Sequence, residues 1–310
     1  MDAIVCCEAL CLTERKSRHF NLTLLSSIYN SSYLFNKSNK YSFLWNVLFN
    51  NYAKLMRSVH GPDGGAPEWA RLQTLIPAPP KLPQRPSALD LGCGYGWYSR
   101  WLVDHRCCSS VHGIDVSQNM LDRAETMTDK TQYPNIAYQQ ADLDDPTSST
   151  LSQIEPNTID LALSILCLHY LVNLKQFVSQ VHRILKPGAS FVVSVEHPIR
   201  TAPTEQRVIE IPVAAEPGND QPQVRRIWPL DNYQLEGLRV RNWLADGVRL
   251  QHRTVSTYIN IFLEVGFELT GFNEWYPTKE ELEAHPDWVE ECKNETIKPT
   301  FLLMRVTKRG

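Results

Sequence analysis

The sequence predicts an α/β chain built on a parallel sheet with helices on both faces. Three observations predict it. Short apolar segments alternate with amphipathic helical patterns from residue 88 to residue 196. A glycine-rich turn, Gly92-Cys93-Gly94-Tyr95-Gly96, joins the first such segment to a helix. Two later segments end in an aspartate, Asp115 and Asp142.

Residues 1–41 are rich in Asn, Ser and Lys and carry little periodicity, so they read as an N-terminal extension of disordered composition. Residues 42–310 read as the folded domain. It opens with a helical face of Leu44, Val47, Leu48, Tyr52, Leu55, Met56 and Val59. A short helix over 68–75 follows, and then a stiff linker carrying Pro77, Pro79, Pro80, Pro83 and Pro86. Strands are expected at 88–91, 111–116, 136–142, 159–165 and 190–196. Between them, Trp97, Trp101 and Leu102 mark one helix, and Ser117 caps a second bearing Met120, Leu121 and Ala124. Leu174, Phe177, Val178, Val181 and Ile184 give a third, which stops at Lys186-Pro187-Gly188. Residues 197–250 interrupt the alternation with prolines, Trp228, Tyr233, Trp243 and several arginines. A helix at 255–265 closed by Gly266 and two strands at 267–272 and 301–306 complete the chain. The polar stretch 277–300 reads as helical in part.

Composition narrows the function. Hydrophobic residues make up 43% and charged residues 21%, with a net charge of −3. Lys and Arg form no basic run, so nucleic acid is not an expected partner. No stretch reaches the roughly 20 apolar residues of a membrane span. The N-terminus lacks the pattern of a secretory signal, and a cytoplasmic location is expected. Among the eight cysteines, Cys6, Cys7 and Cys11 cluster without a CxxC pair, so no metal site is expected. Cys107, Cys108 and Cys167 lie in apolar contexts and read as small core residues.

The glycine turn carries the chemistry. Glycines admit positive φ and let a ligand approach the backbone, and the following helix N-terminus offers free N–H groups. Asp115 stands at a strand end where it can accept hydrogen bonds from two ribose hydroxyls. Asp142, with its neighbouring backbone, can reach an adenine amino group. The dinucleotide fingerprint places its third glycine one residue later than Gly96, and the bulky Trp97 occupies that place, which disfavours a pyrophosphate there.

Asp90-Leu91-Gly92-Cys93-Gly94-Tyr95-Gly96 resembles the first motif of class I S-adenosylmethionine-dependent methyltransferases. Asp115-Val116-Ser117 with Met120-Leu121 is similar to the second, and Asp142-Leu143 to the third. Ile159-Asp160-Leu161-Ala162 with Leu168-His169-Tyr170-Leu171 resembles the fourth-strand motif, and Leu185-Lys186-Pro187-Gly188-Ala189 the turn before the fifth strand. The likeness is closest to small-molecule methyltransferases, including those of ubiquinone and menaquinone biosynthesis. It implies a three-layer, Rossmann-like, seven-stranded and mostly parallel sheet with its last strand antiparallel. Residues 197–250 would be a substrate-cap insertion. It also implies S-adenosylmethionine as cofactor, with Gly92, Gly94 and Gly96 around its methionine portion, Asp115 on the ribose, and Asp142 with Leu143 on the adenine. Asp90, Cys93, Val116 and Met120 complete the implied cofactor site.

On the acceptor side, His197 and His169 follow strand ends and are the candidate general bases. Glu196 is a weaker candidate base, and Tyr52, on the helix before the core, is placed to close over the cofactor. Arg225, Arg226, Arg239 and Arg241 offer charge to an anionic acceptor, although acids are interspersed among them. Two other activities stay open: a nicotinamide-dependent oxidoreductase, and a protein that binds the cofactor without transferring methyl.

Overall fold

The computed structural model describes residues 68–79, 85–145, 149–213, 223–243, 245–284 and 298–310. The expected extension 1–41, the helical face around Tyr52, Pro80, Pro83 and residues 285–297 lie outside the described residues. The chain divides into two compact units, residues 1–66 with 240–248, and residues 67–239 with 249–310. Apart from residues 240–248, everything described below belongs to the second unit unless stated.

In chain order, helix α1 spans Trp69–Gln73, strand β1 Ser87–Leu91, α2 Trp97–Arg106, β2 Ser110–Asp115, α3 Gln118–Met127 and β3 Ile136–Gln140. Then come α4 Ser149–Ser152, β4 Ile159–Ile165, a 3-10 turn Leu168–Tyr170, α5 Leu174–Ile184, β5 Leu185–Glu196 and α6 Pro198–Thr201. The interrupting segment contains β6 Ile209–Val213, β7 Gln223–Ile227, β8 Gly237–Trp243 and β9 Ala245–His252. The chain closes with α7 Val255–Val265, β10 Phe267–Trp275, α8 Lys279–Ala284 and β11 Phe301–Lys308.

Seven strands form one sheet in the order β10-β11-β5-β4-β1-β2-β3. Strands β1 to β5 pair in parallel, whereas β11 runs antiparallel to both β5 and β10. Strands β6 and β7 pair antiparallel in a separate two-stranded sheet, and β8 and β9 form another. The sequence reading placed no strands in this segment. The Ile209-Glu210-Ile211-Pro212-Val213 alternation is short and exposed along its length, so it carries no buried face to announce it.

The period-two alternation of the strands separates two apolar layers. Leu89, Leu91, Phe191, Val193 and Val195 point into one, where they meet Phe177, Val178 and Val181 of α5 with Tyr258 and Phe262 of α7. Ala88, Val111, Leu163 and Val192 point into the other, against Trp69 and Leu72 of α1 and Trp101 and Leu102 of α2. All five apolar residues on the α5 face are buried, each contributing about 1.5–3 kcal/mol of transfer free energy. Ser117 caps α3 by accepting from Met120 N at 3.4 Å, Thr254 caps α7 through Thr257 N at 3.1 Å, and Gly266 ends α7 at φ +109.

Two cysteines read as core residues turn out otherwise. Cys107 is exposed, because α2 stops at Arg106 and Cys107 takes the left-handed cap conformation at φ +54. Cys167 is half-buried at the end of β4, beside the glycine turn.

Candidate functional site

Strand register assembles the site. Leu91 pairs with Ile114 and Asp115 pairs with Gln140, so the segments leaving β1, β2 and β3 emerge side by side at the carboxyl edge of the sheet. Gly92 N and Cys93 N both donate to Ile114 O, at 2.8 and 3.0 Å, and Gly96 N donates to Cys93 O at 3.0 Å. Ala141 N donates to Asp115 O at 3.0 Å, which carries the pairing one step past β3.

The glycines are required at two positions for different reasons. Gly94 has φ +54, and a side chain built there would stand in open space. Gly96 has φ +73, and the Tyr138 ring occupies the place of its missing side chain. The Tyr138 hydroxyl shares a 2.9 Å hydrogen bond with Thr128 Oγ1, which fixes the ring under the turn. The turn is therefore packed at Gly96 and, among the described residues, open at Gly94.

Asp115 borders the turn. Its Oδ2 accepts from Gly94 N at 2.9 Å and its Oδ1 from Ser117 N at 2.9 Å. Burial raises its pKa, opposed by hydrogen bonds from the N–H groups of Ser117, Gly94 and Val116. Asp90 is 1% exposed and accepts from Ser99 Oγ at 2.6 Å. Burial first, with a contribution from the Asp115 charge, pushes Asp90 up to about 7 despite that hydrogen bond. Cys93 and Met120 are buried.

Asp142 is exposed, and its Oδ1 accepts from Asp144 N at 2.9 Å. With Leu143, Thr150, Asn173 and Phe177 it lines a hollow of about 130 Å³. Asp144 ties that turn to the start of α5 by accepting from Asn173 N at 2.7 Å.

Sequence reasoning passed over Cys167. A side chain added at Gly92 would lie 2.7 Å from its Sγ, so the thiol closes the turn from the β4 side. Burial, reinforced by Asp115, Asp90 and Asp142 and opposed by Ser164, pushes Cys167 up to about 12 and keeps it a neutral thiol. Leu166, just before it, holds φ +52, an uncommon conformation for a side-chain-bearing residue. Leu166 N donates to Ser194 O at 2.9 Å, which anchors this corner to β5. A lone cysteine at the end of an apolar run carries no local signal of this placement.

The two histidines lie at the same edge but are enclosed. His197 is fully buried; its Nδ1 accepts from Ile199 N at 3.1 Å, and its Nε2 lies 2.8 Å from Glu274 Oε1. Burial lowers its pKa, with Glu274 opposing and Lys298 assisting. His169 is 1% exposed, and its Nδ1 accepts from Glu196 N at 3.4 Å. Glu196 itself is buried, 3.8 Å from Arg200. Of the four arginines singled out, Arg225 and Arg226 line one groove with Trp228, whereas Arg239 donates to the carbonyls of Asn232, Leu235 and Leu238. Arg241 belongs to the other compact unit.

Among the described residues, no cluster of three or more His, Cys, Asp or Glu is placed to hold a metal, and no helix is long and apolar enough to cross a membrane.

Comparison with known proteins agrees with this geometry. A family model described as a methyltransferase domain matches residues 89–193. The crystal structure of an S-adenosylmethionine dependent methyltransferase from Mesorhizobium loti is 36% identical, covering 79% of this chain and 99% of that one at a TM-score of 0.64. An uncharacterized protein of Haemophilus influenzae is 29% identical over 220 residues, 71% of this chain and 80% of its own. The demethylmenaquinone methyltransferase of Tropheryma whipplei is 32% identical over 113 residues, 36% of this chain and 43% of its own. With the glycine turn, the strand order and the antiparallel last strand in place, this chain belongs to the S-adenosylmethionine-dependent methyltransferases.

Proposed function

We propose that this protein transfers a methyl group from S-adenosylmethionine to a small-molecule acceptor at the carboxyl edge of the sheet, beside β4 and β5. The observation that carries the reading is the open face of the turn at Gly94, bordered by the carboxylate of Asp115. In this reading Gly92, Cys93, Gly94 and Gly96 present backbone to the methionine portion. Asp115 with Val116 and Met120 takes the ribose side, and Asp142 with Leu143 the adenine. Asp90, held by Ser99, supports the turn from inside.

The sulfonium supplies an already activated methyl group, so the chain's task is alignment and exclusion of water. Cys167 and Leu166 shape the wall between the turn and the acceptor edge. His197 and His169 hold that edge: with both His197 nitrogens bonded, its contribution is positioning rather than proton removal. A net charge of −3 without a basic run supports a small acceptor over a nucleic acid.

The test is calorimetric titration with S-adenosylhomocysteine, paired with a search for metabolites that gain one labelled methyl in the presence of the protein. Native protein binds and a labelled product appears; Asp115→Ala loses both. Equal affinity in native protein and Asp115→Ala would overturn the site, and binding with no labelled small molecule would overturn the activity.

A further inference from the structure

The two halves of the glycine turn are held by different parts of the fold. The first half is tied to β2: Gly92 N and Cys93 N donate to Ile114 O, and Gly94 N donates to Asp115 Oδ2. The second half, Tyr95-Gly96, is held by Arg100 of α2. Arg100 Nη1 donates to Tyr95 O at 3.1 Å, and Arg100 N donates to Gly96 O at 3.2 Å. The same Nη1 donates to Thr128 Oγ1 at 3.1 Å, where Thr128, 2% exposed, closes α3. Thr128 Oγ1 lies 2.9 Å from the Tyr138 hydroxyl, which donates to Gly96 O at 3.5 Å.

The protons give this chain a direction. A guanidinium only donates, and each hydroxyl carries one proton. All three contacts hold together in one assignment: Arg100 donates to Thr128, Thr128 to Tyr138, and Tyr138 to Gly96 O. The chain therefore starts at a cation and ends on a carbonyl of the turn, and each bond polarises the next. Its last link is the longest and weakest, so the direct bond from Arg100 to Tyr95 O carries most of the hold.

The ring in this chain is seated by two glycines. It fills the place of a side chain at Gly96, and a side chain at Gly113 of β2 would lie 2.6 Å from it. Gly113 sits within a regular strand, where glycine marks a close approach by another group. Lys130 Nζ stands 5.5 Å from the ring centre. Neither Arg100, Thr128 nor Tyr138 comes within 4 Å of the open position at Gly94, so the brace leaves that position clear.

Gly92, Gly94 and Gly96 all hold positive φ. Glycine loses more backbone freedom on ordering than any other residue. A turn ordered before its ligand arrives leaves the ligand's contacts free to act as affinity.

We propose that Arg100 is a positioning residue for the methyl donor, acting through Tyr95, Thr128 and Tyr138 to hold the Tyr95-Gly96 half of the turn in its binding shape. This rests on the methyltransferase reading above and adds to it a residue that acts without touching the ligand.

The test pairs calorimetric titration of S-adenosylhomocysteine with amide hydrogen exchange followed by NMR, on native protein, Arg100→Met and Thr128→Val. Arg100→Met is expected to lose about tenfold or more in affinity, and Thr128→Val, which breaks the chain at its middle, about threefold. In free Arg100→Met the Gly96 amide, which donates to Cys93 O at 3.0 Å, exchanges about tenfold faster than in native protein. The Gly92 and Cys93 amides, held by β2, and the amides of β5 keep native protection, and S-adenosylhomocysteine restores Gly96. Native affinity in Arg100→Met overturns the proposal, as does unchanged exchange at Gly96. Protection lost equally at Gly92, Cys93 and β5 also overturns it, since the role would then be general stability. Native protein that ignores S-adenosylhomocysteine defeats the methyltransferase reading instead, and exchange at Gly96 in the free proteins still decides the brace.

Discussion

The carboxylate of Asp115 accepts a hydrogen bond from the backbone of Gly94 at 2.9 Å, linking the end of β2 to the turn that follows β1. The same side chain accepts from Ser117 N at the start of α3. Asp115→Ala removes a charged acceptor from both. At about 1.5–3 kcal/mol for each hydrogen bond to a charged group, affinity for S-adenosylhomocysteine is expected to fall about 100-fold. Isothermal calorimetry measures it, and a change below threefold contradicts the assignment.

Gly94 and Gly96 separate binding from stability. Gly96→Ala meets both positive φ and the Tyr138 ring, so it lowers unfolding free energy by about 2–4 kcal/mol. Gly94→Ala meets only the backbone cost of about 1–2 kcal/mol but fills the open face of the turn. Urea unfolding beside ligand titration should show Gly96→Ala as the less stable and Gly94→Ala as the poorer binder. The reverse ranking would mean that the open face is not where ligand sits.

Two buried acids set a pH dependence. Glu68 is 1% exposed, neither carboxyl oxygen has a hydrogen-bond partner among the described residues, and burial pushes it from 4.5 to about 7. Asp90 is pushed from 3.8 to about 7. Folded values above unfolded ones mean that the native state holds extra protons between them. Stability is therefore greatest below about pH 4 for these groups and falls as pH rises toward 7, by up to about 1.4 kcal/mol per unit for each acid. Glu68→Gln removes one proton's share of that slope. Parallel stability–pH curves for native protein and Glu68→Gln would show that Glu68 ionises normally.

Cys107 offers a stabilising change. It is exposed and left-handed at φ +54 at the end of α2, where glycine carries no side-chain penalty. Cys107→Gly is expected to raise stability by about 1 kcal/mol, a gain of about 2–4 °C in Tm by calorimetry.

His197→Asn keeps a short acceptor for Ile199 N and loses the contact with Glu274. A positioning residue predicts a stability loss of about 1–3 kcal/mol with the shape of the pH–rate profile retained. Disappearance of one limb of that profile would identify His197 as the proton acceptor instead.

The turn and Asp115 were legible because they are local: glycines, a strand and a helix start within one short segment fix their own geometry, whereas Asp142, read as closing a strand over 136–142, stands two residues past the end of β3. Ser117 and Gly266 were legible as helix boundaries for the same reason. Cys167 was not, since its place beside Gly92 depends on β4 pairing with β1 across some seventy residues of chain. Lys298 was not, because a lysine in a polar stretch gives no sign of burial until β11 carries it against Trp228. The enclosure of His197 likewise depends on Glu274 arriving from β10.

Gly92, Cys93 and Gly94 spend their amide protons on Ile114 and Asp115, residues of the neighbouring strand. The turn thus acquires its shape as a by-product of sheet formation, and a methyl donor bound at the proposed site would meet a preorganised surface instead of a loop it must freeze. A substitution that loosens the β1–β2 pairing, even on the far side of the sheet from any ligand, will therefore surface as slower capture and faster escape of the methyl donor.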